Sequence, residues 1–164
     1  MGKASQMKQR LNFLEVAPDV VKAMFSLGRQ LDRSGLEKSL LDLVYFRVSQ
    51  INGCAFCLDM HSKDLRAAGE TEQRLYVLEA WRDSPFYTER ERAALAFAEA
   101  ATVLKDKDVP DEVYEQARAQ FSEQELVNLT LAVVAINGWN RLNIAFRTTP
   151  GAYQPGQSFA VAAK

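Results

Sequence analysis

Cys54, Cys57 and His61 are every cysteine and histidine in this 164-residue chain, and they sit in one short segment. Thiols three positions apart on a helix can join as a disulfide with little backbone movement. An imidazole four positions further on stacks one turn from Cys57. A cysteine in a helix's first turn meets unsatisfied N–H groups and the positive end of the macrodipole, and both favour thiolate. The segment therefore offers a nucleophile, a resolving partner and a group that titrates near neutral pH unless perturbed.

Helical phase strengthens the case. At ~100° per residue, Cys54, Cys57, Leu58, His61 and Leu65 share the apolar arc, while Asp59, Ser62, Lys63 and Arg66 take the wet one. Cysteine is a common core filler, and a lone histidine on an apolar face is usually a satisfied core residue. All three at one helix entrance favour redox chemistry over packing. Zinc is the competing site chemistry, but a structural zinc usually takes four Cys or His ligands, and this chain offers three plus a carboxylate. No metal and no bound cofactor are expected.

That carboxylate is Asp42, placed between Leu40-Leu41 and Leu43-Val44, where an unpartnered charge is costly. Ser49 lies seven residues on along the same stripe. Two readings stand level: a salt bridge to Lys38 at i−4, or a proton relay facing His61 and the sulfurs.

The elements that must hold these residues are helices. Apolar residues recur at three and four positions nearly everywhere, and no alternating run is long enough for a strand. Seven segments emerge: 19–33, 36–51 ending at Asn52-Gly53, 54–68 before Gly69, 71–81, 88–104, 110–120 and 122–147. Thr88-Glu-Arg-Glu91 and Ser122-Glu-Gln-Glu125 fit capping boxes. The last helix is expected to bend near Gly138. The whole reads as one all-α domain over 1–164, with an arm at 1–18 and an irregular tail at 149–164. Tyr153 and Phe159 in the tail point to packing rather than free motion.

Composition agrees with a single globular unit: 48% hydrophobic and 25% charged residues exclude disordered and collagen-like classes. With 20 basic against 21 acidic residues there is no cationic excess for phosphate contacts, so nucleic acid is not an expected partner. Lys3, Lys8 and Arg10 have no apolar stretch behind them, and the longest apolar run, Leu129 to Ile136, is too short to span a bilayer. No signal, no membrane partner and a cytoplasmic location are expected. Among other polar insertions, Glu99 is expected to pair with Arg141, and Asn137, Asn140 and Asn143 read as structural fixtures. Trp81, Phe86 and Tyr87 are candidate cleft walls, although aromatics at such spacing are usually core.

The run Phe46-Arg-Val-Ser-Gln-Ile-Asn-Gly-Cys-Ala-Phe-Cys-Leu-Asp-Met-His61 resembles the core of the alkylhydroperoxidase AhpD-like proteins, of the carboxymuconolactone decarboxylase superfamily. The resemblance continues through Ala67-Ala-Gly-Glu70, Thr88 to Leu95 and Trp139-Asn-Arg-Leu-Asn143, and spans about Leu36 to Gly151. It implies a fold of six or seven helices, assembly into trimers or hexamers, and thiol-dependent reduction of organic hydroperoxides. It also implies roles: Cys57 peroxidatic, Cys54 resolving, His61 in the proton relay and Asp42 as the relay acid. The implied reductant is an external dithiol, such as a lipoyl-bearing protein, acting on Cys54 as the accessible sulfur. Two positions depart from the pattern. Asp42 stands where glutamate is common, and Phe56 where the archetype has a histidine, so the relay is altered while the dithiol is intact.

Other functions fit the same residues. A redox sensor or disulfide-reductase module would oxidise stoichiometrically with little peroxidase turnover. A decarboxylase or lactone-processing relative would not need both sulfurs. Self-association is expected on physical grounds too, because the helices are apolar over wide arcs.

Overall fold

In the computed structural model, which describes residues 8–157, every regular element is helical. The order is α1 (Phe13–Val16), α2 (Pro18–Leu31), α3 (Lys38–Asn52), α4 (Ala55–Ala67), α5 (Glu72–Tyr76), α6 (Glu89–Val103), α7 (Asp111–Gln120) and α8 (Glu123–Phe146). Two 3-10 turns lie between them, at Leu78–Asp83 and Lys105–Lys107. The all-α reading holds, but among the described residues there are eight α-helices rather than six or seven.

The extra helix lies within the expected arm, where Asn12 caps α1 by accepting from the Leu14 N–H. The segment 71–81 is also not one helix. It stops at Tyr76 and tightens into the 3-10 turn, with Ala80 off helical geometry at φ −102° and ψ 28°. A 3-10 turn eclipses positions three apart, which lets Leu75, Leu78 and Trp81 all bury in one cluster. Both capping boxes form as read: Thr88 with Glu91, and Ser122 with Glu125.

α3 is the centre of the bundle. Leu40, Leu41, Leu43, Val44 and Val48 are all buried, and α3 packs on α4, α6 and α8. Burying one such leucine is worth about 2 kcal/mol. α8 runs as one helix through Gly138. The glycine permits close approach, since a Cβ there would stand 2.8 Å from Met24 Cε on α2. Among the described residues, no helix is long and apolar enough to cross a membrane.

Glu99 does not pair with Arg141. It accepts from Arg47 Nε at 2.7 Å, Arg82 at 2.6 Å and Trp81 Nε1 at 2.9 Å. Burial alone would raise its carboxyl, and these donors outweigh that and hold it below the usual range. Arg141 turns back to the Asn137 carbonyl and side chain on its own helix.

A buried polar ladder joins the end of α3 to α8. Asn52 Nδ2 donates to Asn137 Oδ1 and Asn140 Oδ1, both at 2.9 Å. Asn140 Nδ2 donates to Ser49 Oγ at 3.0 Å, and Asn137 Nδ2 reaches Thr102 on α6 at 3.1 Å. Each rung satisfies a group that burial would otherwise penalise. Asn140→Ala should therefore cost about 2–4 kcal/mol in urea unfolding. A loss below about 0.5 kcal/mol would show that the ladder does not hold the helix ends.

Candidate active site

The dithiol is built by a tight turn. α3 ends at Gly53, which is left-handed at φ 68°, a conformation that glycine adopts without steric cost. Cys54 follows in extended geometry as the N-cap of α4, and Cys57 is the third residue inside the helix. The Cys54 sulfur does the capping, accepting the Cys57 N–H at 3.3 Å. The two cysteines are joined as a disulfide, with Cα atoms 5.3 Å apart. As the helical phase predicts, Cys57, His61 and Leu65 are buried and Arg66 is exposed.

Cys57 and His61 line a cavity of about 270 Å³ between α2, α3, α4 and α8. Its walls are mostly apolar, with Phe25, Tyr45, Met60, Ile136 and Trp139 among them, while the exposed Arg29 and Asp32 stand where α2 borders it. The His61 ring lies 5.5 Å from the Tyr45 ring. Its Nδ1 is enclosed without a hydrogen-bond partner. Burial, with the positive charge of Lys38 adding to it, pushes His61 from 6.5 down to about 3. The imidazole is neutral at physiological pH.

Of the two readings of Asp42, the ion pair is present: Lys38 Nζ bonds its carboxylate. Burial raises the Asp42 carboxyl, and the Lys38 hydrogen bond opposes that rise. No hydrogen bond joins Asp42 to His61 in this arrangement. Asn143, which sequence reasoning set aside as a fixture, is instead at the sulfur. Its Nδ2 lies 3.5 Å from Cys57 Sγ and 2.9 Å from the Trp139 carbonyl. Its place in the Trp139-to-Asn143 run was the signal, but a helix-borne asparagine looks the same whether it serves a core or a site.

Trp81 and Tyr87 lie in a separate core cluster, and Phe86 borders a different hollow with Val77 and Pro85. None of the three walls the dithiol cavity. No group of three or more His, Cys, Asp or Glu placed to hold a metal ion occurs among the described residues.

The tail changes the expected access to the sulfurs. Tyr153 packs with Cys54, Phe56 and Cys57, and both cysteines are only 1% exposed. Polar side chains of α4 hold the tail in place. Tyr153 Oη donates to Asp64 at 2.7 Å, Lys63 donates to the Tyr153 carbonyl at 3.0 Å, and Asp59 accepts the Gly151 N–H at 3.0 Å. Cys54 is thus covered, not the accessible sulfur, and Cys57 is the one bordering the cavity. Phe159 lies outside the described residues.

Two outcomes follow. Removing the cover with Tyr153→Ala should speed reduction of the disulfide by a small dithiol several-fold, followed by thiol release; an unchanged rate would mean the tail does not limit access. For His61, below its ordinary 6.5 the unfolded chain takes up a proton that the folded chain refuses until about pH 3. Stability should thus fall as pH drops through that window, by up to about 1.4 kcal/mol per unit. The raised Asp42 carboxyl works in the opposite direction at the acid end. His61→Gln should flatten the unfolding free energy between about pH 6.5 and 5; equal slopes would contradict the buried neutral ring.

Comparison with known proteins identifies the family. The profile of the Carboxymuconolactone decarboxylase family matches residues 18–100. The uncharacterized protein YdfG of Bacillus subtilis (strain 168) is 44% identical over 139 residues, covering 85% of this chain and 95% of that protein. A crystal structure from Agrobacterium tumefaciens, of a protein of unknown function described as a putative antioxidant defence protein AhpD, superposes with TM-score 0.85 at 42% identity. That match covers 89% of this chain and 100% of the other. The debrominase Bmp8, solved with 2,3,4-tribromopyrrole, shares the fold at TM-score 0.75 and 22% identity, over 85% of this chain and 74% of that one. Matched by profile, by sequence and by fold, the chain belongs to the carboxymuconolactone decarboxylase family and is AhpD-like.

Proposed function

We propose that the chain is a thiol-dependent peroxidase acting on organic hydroperoxides. The observation that carries this reading is the disulfide-forming pair with one member, Cys57, on the wall of an apolar cavity. In this reading the Cys57 thiolate attacks the terminal oxygen of ROOH, the O–O bond breaks, and Cys57 becomes a sulfenic acid as RO⁻ leaves. His61 passes the proton released from the Cys57 thiol to RO⁻, giving ROH. Its low basicity makes the ring a relay rather than a resting place for that proton. Asp42 contributes by neutralising Lys38, whose charge disfavours a proton on His61.

Cys54 then attacks the sulfenic sulfur, forming the disulfide and releasing water. An external dithiol, of which a lipoyl group is one example, reduces the pair to two thiols and is itself oxidised to a disulfide. The aromatic walls Phe25, Tyr45 and Trp139 favour a second electrophile as well, a flat halogenated ring of the kind bound by Bmp8. Self-association into a trimer or hexamer belongs to the same proposal. It is supported by the exposed apolar stripe Val127, Leu131 and Val134, which shares one face of α8. A cytoplasmic location is the natural setting for a dithiol kept reducible.

Steady-state consumption of an organic hydroperoxide with a dithiol tests the proposal. Cys57→Ser should abolish turnover, and Cys54→Ser should stop after a single equivalent of peroxide. Normal turnover by Cys57→Ser would overturn it. Consumption of a brominated aromatic but not of hydroperoxide would favour the second electrophile, and stoichiometric oxidation without turnover the sensor.

A further inference from the structure

Two sulfurs share the entrance of α4, and the donors there are divided between them. The backbone N–H that the helix start directs at sulfur, that of Cys57, goes to Cys54 Sγ. Cys57 Sγ receives its donor from another helix, the Asn143 amide of α8. We propose that Asn143 is a catalytic group of the dithiol site, its amide N–H stabilising Cys57 as thiolate. The assignment rests on the peroxidase reading only for the identity of the electrophile.

The geometry fixes the amide. With the Trp139 carbonyl 2.9 Å away, the nitrogen must occupy that side, because an oxygen placed there would face another oxygen. One amide hydrogen goes to Trp139 and the other to Cys57. Asn143 is only 3% exposed, and its Oδ1 is buried with no partner. A side chain chosen for packing would avoid that unsatisfied acceptor, whereas one held in place for its N–H tolerates it.

The other titratable neighbours do not supply the positive character a thiolate needs. His61 on α4 is neutral, as is Tyr45 on α3, whose hydroxyl is pushed up by burial. Arg29 on α2 and Asp32 at its C-cap, which also border the cavity, carry opposite charges. Lys38 is paired with Asp42. The amide gives a hydrogen bond to the anion without adding a charge that would itself need desolvating.

The test titrates Cys57 in reduced Cys54→Ser protein, following the ultraviolet absorbance of the thiolate against pH. With Asn143 present, the midpoint should lie below the ~8.5 of a free cysteine. Asn143→Leu, which fills similar volume without a donor, should raise it by about one unit, about tenfold less thiolate at a given acidic pH. Asn143→Ser, which retains a small donor, should fall between, and it serves as the second variant if the leucine form fails to fold by circular dichroism. A midpoint at or above ~8.5 with Asn143 in place, or substituted proteins within ~0.2 units of it, would overturn the assignment. No peroxide enters this measurement. Absence of hydroperoxide turnover with the expected midpoints would sink the peroxidase reading and leave the role of Asn143 standing.

Discussion

Where α3 stops decides where the sulfurs lie, and a largely buried set of hydrogen bonds holds that end in place. Asn52, the last residue of α3, is held by two asparagines of α8, and one of those also grips Ser49 a turn earlier. In a low-dielectric interior such a network tolerates little displacement, because losing one rung strands the next. The left-handed Gly53 and the cap at Cys54 follow immediately. One turn further along, α8 carries Asn143 to the Cys57 sulfur. The same helix therefore sets the end of α3 and touches the sulfur that end delivers.

Burial then governs the chemistry of the groups assembled there. Within one low-polarity region it makes His61 a weak base, raises the carboxyl of Asp42 and raises the hydroxyl of Tyr45. Charge is confined to the Lys38–Asp42 pair and to the two side chains that border the cavity from α2 and its C-cap. A neutral, apolar chamber of this kind suits an apolar substrate. It also leaves stabilisation of a sulfur anion to fixed dipoles instead of mobile ions.

Much of this was legible in the sequence because the local signals agreed. The two capping boxes, Asn52-Gly53 as a stop and the three- and four-residue apolar spacing located the helices. The phase of α4 identified which side chains faced inward. What was hidden depended on contacts distant in the chain. Asn137, Asn140 and Asn143 have the same sequence signature, yet two hold α3 and the third meets a sulfur. Glu99 offered no sign that Arg47, Arg82 and Trp81, rather than Arg141, would gather on it. Asp59 and Lys63 belong to the wet stripe of α4 and read as solvated, but with Asp64, which the phase argument did not single out, they are where the tail fastens.

That fastening has a temporal side. Translation delivers residues in order. Gly151 and Tyr153 leave the ribosome after α8, so a growing chain already has both thiols made before the phenol that shields them exists. The cover over the dithiol is thus the last part of this site to be synthesised, made only after α4 and α8 are complete.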